Sequence, residues 1–440
     1  MLQPVSDTAL QDVADAKPAH APVYETPAGF DLADNNAFTR GQPFDYYRTL
    51  RETAPVAWHP IPDAAGFWSI TRYDDIKRIE LDPETFSSQL GGINMAYGPP
   101  GKRHDRLYGA ALNTLICLDR PYHVPLRMQH RAFFTPDYIA ELRKKVEGKV
   151  DQLLDAMERK GPVVEMVHSF SEQLPLFTLC EMLGVDEKDR PKVVRWMHYL
   201  ELAGHMFSER AQGRRISPLF LVKFLWNVRE MFRFGERILN DRRKNPRDDL
   251  LTAIAQAEVE GEPLSQEYLD GAWLLIIFAG NDTTRNSLSG TMRLLTEFPD
   301  QKQKLLDDPS RIKDLVPEAI RMVSPVIHMR RTLKTDAEIS GQKIAAGEKV
   351  IMYYGAANRD PSVFPDPDRF DIDRENAGDH LAFGAGPHVC LGQRVATMQL
   401  EVAYAKILER FPNVRWTGRM KQAPNNFVNA ISELEIDLGS

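Results

Sequence analysis

Phe383-Gly-Ala-Gly-Pro-His-Val-Cys390-Leu-Gly-Gln-Arg-Val-Ala396 places one cysteine in a glycine-broken loop that runs into a helix. Gly384 and Gly386 allow backbone angles and close approaches that a side chain would block. Pro387 removes a donor and stiffens the turn. Gly392, two residues past the cysteine, leaves room for something flat against the backbone. Leu391, Val395, Met398 and Val402 have helical spacing, so a final helix is expected over 391–410. Cys390 then sits just before a helix N-terminus, where free N–H groups and the helix dipole favour a thiolate. A lone cysteine is more often a small inert core residue. A thiolate beside a glycine-cleared surface, however, is what an iron porphyrin needs on its proximal side.

Working outward, the chain of 440 residues is 43% hydrophobic and 27% charged, an ordinary globular composition. No linker or internal repeat divides it. One catalytic unit is expected over 26–440, behind a loosely held tail over 1–25. The net charge of −7 argues against nucleic-acid binding. Cys117, Cys180 and Cys390 lack metal-type spacing and cannot all pair, which suggests a reducing compartment. The tail has neither a basic start nor an apolar core. The apolar run Trp273 to Gly280 is far shorter than the roughly 20 residues that span a bilayer. A cytoplasmic monomer without a membrane span is expected.

The pattern predicts a helix over Gln42 to Thr53, a hairpin from Pro55–Trp58 and Phe67–Thr71, and a helix over Asp74 to Leu81. Gly91 to Leu118 reads as a long irregular loop, which is usually functional. Helical periodicity dominates from Val124 to Phe298. Within it, Trp196–Phe207 and Pro218–Phe234 are rich in aromatics, which fits core packing. One uninterrupted helix is expected from the N-cap Ser265 to Phe298, stopped by Pro299. Helices over 300–324, strands at Ala337–Ser340 and Val350–Tyr353, an irregular Asn358–His380 meander and a hairpin over Val428–Asp437 complete the reading.

Phe-x-x-Gly-x-x-x-Cys-x-Gly, here Phe383, Gly386, Cys390 and Gly392, resembles the haem-binding signature of the cytochrome P450 superfamily. The resemblance implies a mainly α fold with small β-sheets, a triangular α-rich prism, holding haem b with Cys390 as axial iron ligand. Phe383, Gly384, Gly392 and His388 fall at cofactor-binding positions of that loop.

Other stretches resemble the family in the same order along the chain. Ala279-Gly280-Asn281-Asp282-Thr283-Thr284 breaks local rules inside an apolar helix, since Gly280 costs about 1 kcal/mol against Ala and threonine hydroxyls compete for helix carbonyls. By resemblance Ala279 and Gly280 lie over the haem on its oxygen side, while Asp282 and Thr283 form a catalytic acid–alcohol relay. Glu318-Ala-Ile-Arg321 places an ion pair on one helix face, and Arg369 matches the third member of a structural triad. His123 and Arg127, spaced i, i+4, match haem-propionate donors, as do Arg331 and His388. The helix–loop–helix around Ser208–Arg215 matches a substrate lid.

The implied reaction is hydroxylation of a C–H bond of a hydrophobic molecule with dioxygen. Its electrons are expected from a separate ferredoxin and an NAD(P)H-dependent ferredoxin reductase. Arg131, Arg143, Lys144 and Lys145 are candidate basic contacts, or an ordinary solvated helix face. Val326 to Asp360 looks most like subfamilies acting on terpenoids, branched lipids and steroids, while Cys390-Leu-Gly-Gln and Asn426-Phe-Val resemble the terpenoid-alcohol hydroxylases. Pocket candidates are Met95, Ile276, Ala279, Val326, Ile327, Phe427 and Val428. Two alternatives stand beside this reading. A peroxide-driven fatty-acid hydroxylase would lack the Asp282–Thr283 pair, and a haem sensor without turnover would not need it.

Overall fold

A computed structural model describes residues 17–61, 64–95, 106–211 and 217–439, the side chains of Ala64 and 201–211 excepted. Near the start come helices α1 (Phe44–Thr53) and α2 (Tyr73–Leu81), with strands β1 (Val56–Ile61), β2 (Ala64–Ile70) and β3 (Phe86–Ser87) around them. β1 and β2 form the expected hairpin, with Trp58 opposite Trp68. Gly66 is required there: a Cβ would lie 2.4 Å from the Trp58 ring. The tail expectation needs correction. Ala19 N–H donates to Glu348 (2.8 Å) and Val23 N–H to Gln342 (2.6 Å), so this part of the segment is pinned to the body. Residues 1–16 lie outside those described.

The stretch expected to be irregular contains a helix, Arg106–Leu112, while residues 96–105 lie outside those described. Helices α3 (His123–Ala132) and α4 (Pro136–Lys160) follow, the latter capped by the Thr135 hydroxyl, which accepts from Tyr138 N–H. Leu142, Val146, Val150, Leu153 and Met157 form its buried stripe. The two aromatic-rich segments are helices Arg190–Ala211 and Pro218–Lys244. Trp196 is core, 1% exposed, whereas Leu219, Val222, Leu225 and Trp226 are exposed.

The long helix is not continuous. It divides into α5 (Gln266–Ala279) and α6 (Asp282–Glu297), with Gly280 and Asn281 between them. The division falls at a glycine, a poor helix former, and the Thr283 hydroxyl donates to the Ala279 carbonyl across it (3.1 Å). Gly280 and Asn281 keep right-handed helical angles, so the chain is interrupted without turning away. The helix ends at Phe298 as expected, and Pro299 opens the next helix.

After α7 (Ile312–Val323), strand β4 (His328–Leu333) pairs with β5 (Lys349–Tyr353). β5 is buried along its length and runs parallel to β2, giving the sheet order β1-β2-β5-β4-β3. The pattern had not marked β4, whose two central residues are arginines. The final helix α8 starts at Gln393 rather than Leu391 and ends at Arg410. Two strands, Arg415–Gln422 and Ile431–Asp437, make the C-terminal hairpin, with Val163–Glu165 as a third strand.

Candidate active site

The cysteine loop is closed by its own backbone. Cys390 N–H donates to the Phe383 carbonyl (2.8 Å), Gly384 N–H to Leu381 (2.8 Å) and Val389 N–H to Gly386 (3.2 Å). Gly384 and Gly386 have φ of +70° and +62°, and their room is taken by α2. A Cβ on Gly384 would lie 2.9 Å from a Glu80 carboxylate oxygen, and one on Gly386 2.6 Å from the Glu80 carbonyl.

Cys390 has accessible surface, whereas Cys117 and Cys180 are buried. Protein nonetheless surrounds its sulfur. Burial pushes the thiol above its ordinary value, against the N–H of Gly392, the Arg127 guanidinium and the N–H of Gln393. The helix start therefore supplies the expected donors without outweighing desolvation. A metal cation in front of the sulfur would, because a coordinated thiol is deprotonated.

Four cationic or imidazole groups meet beside the loop. The rings of His123, on α3, and His388 stack with centroids 4.0 Å apart. Arg127, one turn on from His123, donates to the Val389 carbonyl. Arg331, from β4, donates to the Arg330 carbonyl (2.9 Å) and stands 3.4 Å from the Glu80 carboxylate. Burial first, then Arg127, holds His123 down to about 4; burial, then Arg331, His123 and Arg127, holds His388 down to about 2. His123 Nε2 and His388 Nδ1 are buried with no hydrogen-bond partner. Orphaned nitrogens flanked by two guanidiniums fit the two carboxylates of haem b, and the Cys390 sulfur fits its iron. Arg330 points elsewhere: its guanidinium bonds to the Thr332 hydroxyl (3.2 and 3.1 Å).

At the α5–α6 break, Ala279 and Gly280 are exposed and Thr283 is half-exposed. Asp282 is buried, accepting from Asn281 Nδ2 (3.3 Å) with Arg285 at 3.6 Å. Nearby, Val326 bridges to Val428, and Phe427 stacks on Phe278 (6.3 Å). Ile93 and Met329 pack against this group. Phe278 and Ile93 escaped the sequence reading, although Phe278 immediately precedes the Ala279–Thr284 motif. Ile276 is half-buried against the main helical core. Two pocket candidates need correction: Met95 and Ile327 belong to a separate buried cluster with Phe38, Tyr47 and Tyr353. Adjacent strand residues point to opposite faces, which separates Ile327 from Val326.

The structural triad also needs correction. Glu318 and Arg321 are fully buried and paired (2.7 and 2.8 Å). The third side chain is Arg374, whose Nε lies 3.2 Å from Glu318. Arg369 offers only its carbonyl to Arg321 (3.2 Å), while its half-exposed guanidinium pairs with Asp300. Asp371 N–H also donates to Glu318 (3.0 Å), which turns the chain so that Arg374 faces inward. Arg321 further donates to the Asn358 carbonyl (2.7 Å), and the Asn358 side chain accepts from Leu381 N–H (2.7 Å), at the entry to the cysteine loop.

Of the basic candidates on the outer face, Arg143 pairs with Glu401, Lys144 with Glu141 and Lys145 with Glu181. Arg131 and Arg394 are exposed and have no ion pair among the described residues. Met128, 68% exposed, lies on the same helix as Arg131.

Comparison with known proteins agrees with this geometry. The chain is 34% identical over 410 residues to linalool 8-monooxygenase of Pseudomonas putida, covering 93% of this chain and 98% of that one. It is 31% identical over 400 residues to a methyl-branched lipid omega-hydroxylase of Mycobacterium bovis, covering 89% and 90%. A Mycobacterium marinum cytochrome P450 solved with pseudoionone superposes with a TM-score of 0.83 at 31% identity, over 95% of this chain and all of that one. The family profile matches residues 126–434. By sequence, by fold and by its glycine-cleared cysteine loop, the chain belongs to the cytochrome P450 family, as a haem-dependent monooxygenase.

Proposed function

We propose that this monooxygenase is a cytoplasmic monomer that hydroxylates a C–H bond of a bulky apolar molecule: a terpenoid first, a steroid or branched lipid next. Its electrons come from a separate ferredoxin and an NAD(P)H-dependent ferredoxin reductase. The observation that carries the reading is the run from Val326 to Arg331. At one end it joins the apolar wall of Val428, Phe427 and Phe278; at the other it supplies a guanidinium to the cation cluster. One segment thus sets an apolar molecule beside a cofactor edge. The linalool-oxidising relative and the solved neighbour with pseudoionone favour a terpenoid.

In this reading Cys390 would hold the haem iron through its sulfur. His123, Arg127, Arg331 and His388 hold the propionates, and Phe383, Gly384 and Gly392 shape the loop. When bound, haem supplies the binding of dioxygen and the oxidation of the C–H bond. Ala279 and Gly280 keep the oxygen side clear of bulk. The Thr283 hydroxyl turns from the Ala279 carbonyl to donate into the pocket. Asp282, steadied by Asn281 and Arg285, replenishes its proton. Val326, Phe427, Val428 and Phe278 exclude water and orient the substrate. Glu318, Arg321 and Arg374 brace the loop from behind. An acidic ferredoxin would meet Arg131, Arg394 and Met128.

The test is a spectral titration of the ferric protein with a terpene alcohol, a steroid and a methyl-branched fatty acid. Displacement of iron-bound water shifts the spectrum to high spin. The tightest response is expected from the terpene alcohol; a response to the fatty acid alone would overturn the substrate assignment.

A further inference from the structure

Glu80 breaks two local rules. It sits in the last turn of α2, where the helix dipole disfavours a carboxylate. It is also only 3% exposed, and a buried charge is costly unless paired. Such violations mark functional positions.

Its partners explain the position. One carboxylate oxygen accepts from the Tyr354 hydroxyl and lies 3.4 Å from the Arg331 guanidinium. The other accepts from Ala385 N–H, inside the cysteine loop. The loop closes onto it: Gly384 and Gly386 are the residues whose missing side chains make room for Glu80. A single carboxylate therefore holds the loop that carries Cys390 and a guanidinium of the cation cluster.

We propose that Glu80 is a positioning residue for the haem, tying the cysteine loop to Arg331, and that its buried charge holds the haem's reduction potential down. The sign follows from electrostatics. The iron gains an electron on reduction, and a fixed negative charge in a low-dielectric surrounding opposes that gain. Glu80 also divides the Arg331 cation between itself and a propionate. This last point rests on the reading of Arg331 as a propionate donor.

The experiment uses three haem-loaded variants, E80Q, R331Q and R331Q/E80Q. It measures the midpoint potential, the rate of haem transfer to apomyoglobin and the spectrum of the reduced carbon monoxide adduct. E80Q keeps the volume and removes the charge. It is expected to shift the potential upward and to release haem at least about tenfold faster, since it removes charge-assisted hydrogen bonds to the loop and to Arg331. The thiolate spectrum should persist. A purely structural role would lower the melting temperature and leave the potential unchanged; that result overturns the proposal.

The double variant separates the two claims. If Glu80 acts in part through Arg331, E80Q speeds haem release less in the R331Q background than in the wild type; fully additive losses overturn the coupling. R331Q with wild-type haem release, beside a shifted E80Q, overturns the Arg331 reading and supports the hold of Glu80 on the loop. Should E80Q alone fail to hold haem, R331Q/E80Q removes both charges together and decides the coupling by the same comparison.

Discussion

The two sides of the site are built from different materials. Behind the cysteine loop almost every link is a buried polar contact with one geometry: Glu318 with Arg321 and Arg374, Asn358 with Leu381, Glu80 with Ala385. Where Val326, Phe427, Val428 and Phe278 meet, the walls are apolar, and elsewhere the helix Pro218–Lys244 exposes Leu219, Val222, Leu225 and Trp226. Directional bonds fix a cofactor to a fraction of an ångström; apolar surfaces tolerate exchange at similar volume. The first side is built to be the same in every turnover, and the second to suit one shape of molecule.

The sharpest way to break this contrast is at the brace. Arg374→Ala leaves the buried Glu318 carboxylate short of a partner and should cost about 3–5 kcal/mol, read as lost thermal stability and poor haem incorporation. Arg369→Ala, at a half-exposed pair, should cost under about 1 kcal/mol. Equal losses would restore Arg369 to the triad.

Strand β4 gives the next effect, through pH. His328 is fully buried, and burial holds it down to about 4, with the Asn426 carbonyl as a weaker opposing influence. Above about pH 6.5 the imidazole is neutral in both states and has no leverage. From there down to about 4 the unfolded chain takes the proton and the folded chain does not, so stability falls as pH falls. Its share is at most about 3 kcal/mol. Denaturation midpoints of His328→Gln should fall less steeply over that window than those of the parent; identical slopes would place the acid sensitivity elsewhere.

Smaller effects are expected at Thr283 and Phe427, where function changes before stability does. Thr283→Ala should lower the fraction of electrons recovered in product by about tenfold and release peroxide. Full coupling would remove the hydroxyl from the relay. Phe427→Ala should weaken the spectral response to an apolar substrate by about tenfold, the order expected for lost apolar contact, and leave the reduction potential unchanged. A shifted potential would mean that the two sides are not independent.

The same contrast decides what could be read from residues alone. The cysteine loop was legible because glycines, a proline and a thiol at fixed spacing leave few conformations. Gly280 and Thr283 announced a disturbance in the long helix, which proves to be a two-residue interruption at Gly280 and Asn281 with helical angles kept. Arg374 was missed because two arginines share one meander, and only the turn at Asp371 decides which faces Glu318. Glu80 was missed because a lone acid in a short helix has no signature until the loop lands on it. Met95 and Ile327 show the limit on the apolar side: proximity to a motif does not say which face of the sheet a side chain takes.

The central claim is that the sulfur of Cys390 binds haem iron as a thiolate. It is tested most directly by the absorption spectrum of the reduced protein under carbon monoxide. A strongly red-shifted Soret band is expected from the wild type and should be absent from Cys390→His. A wild-type band at the position of a histidine-ligated haem would contradict the account.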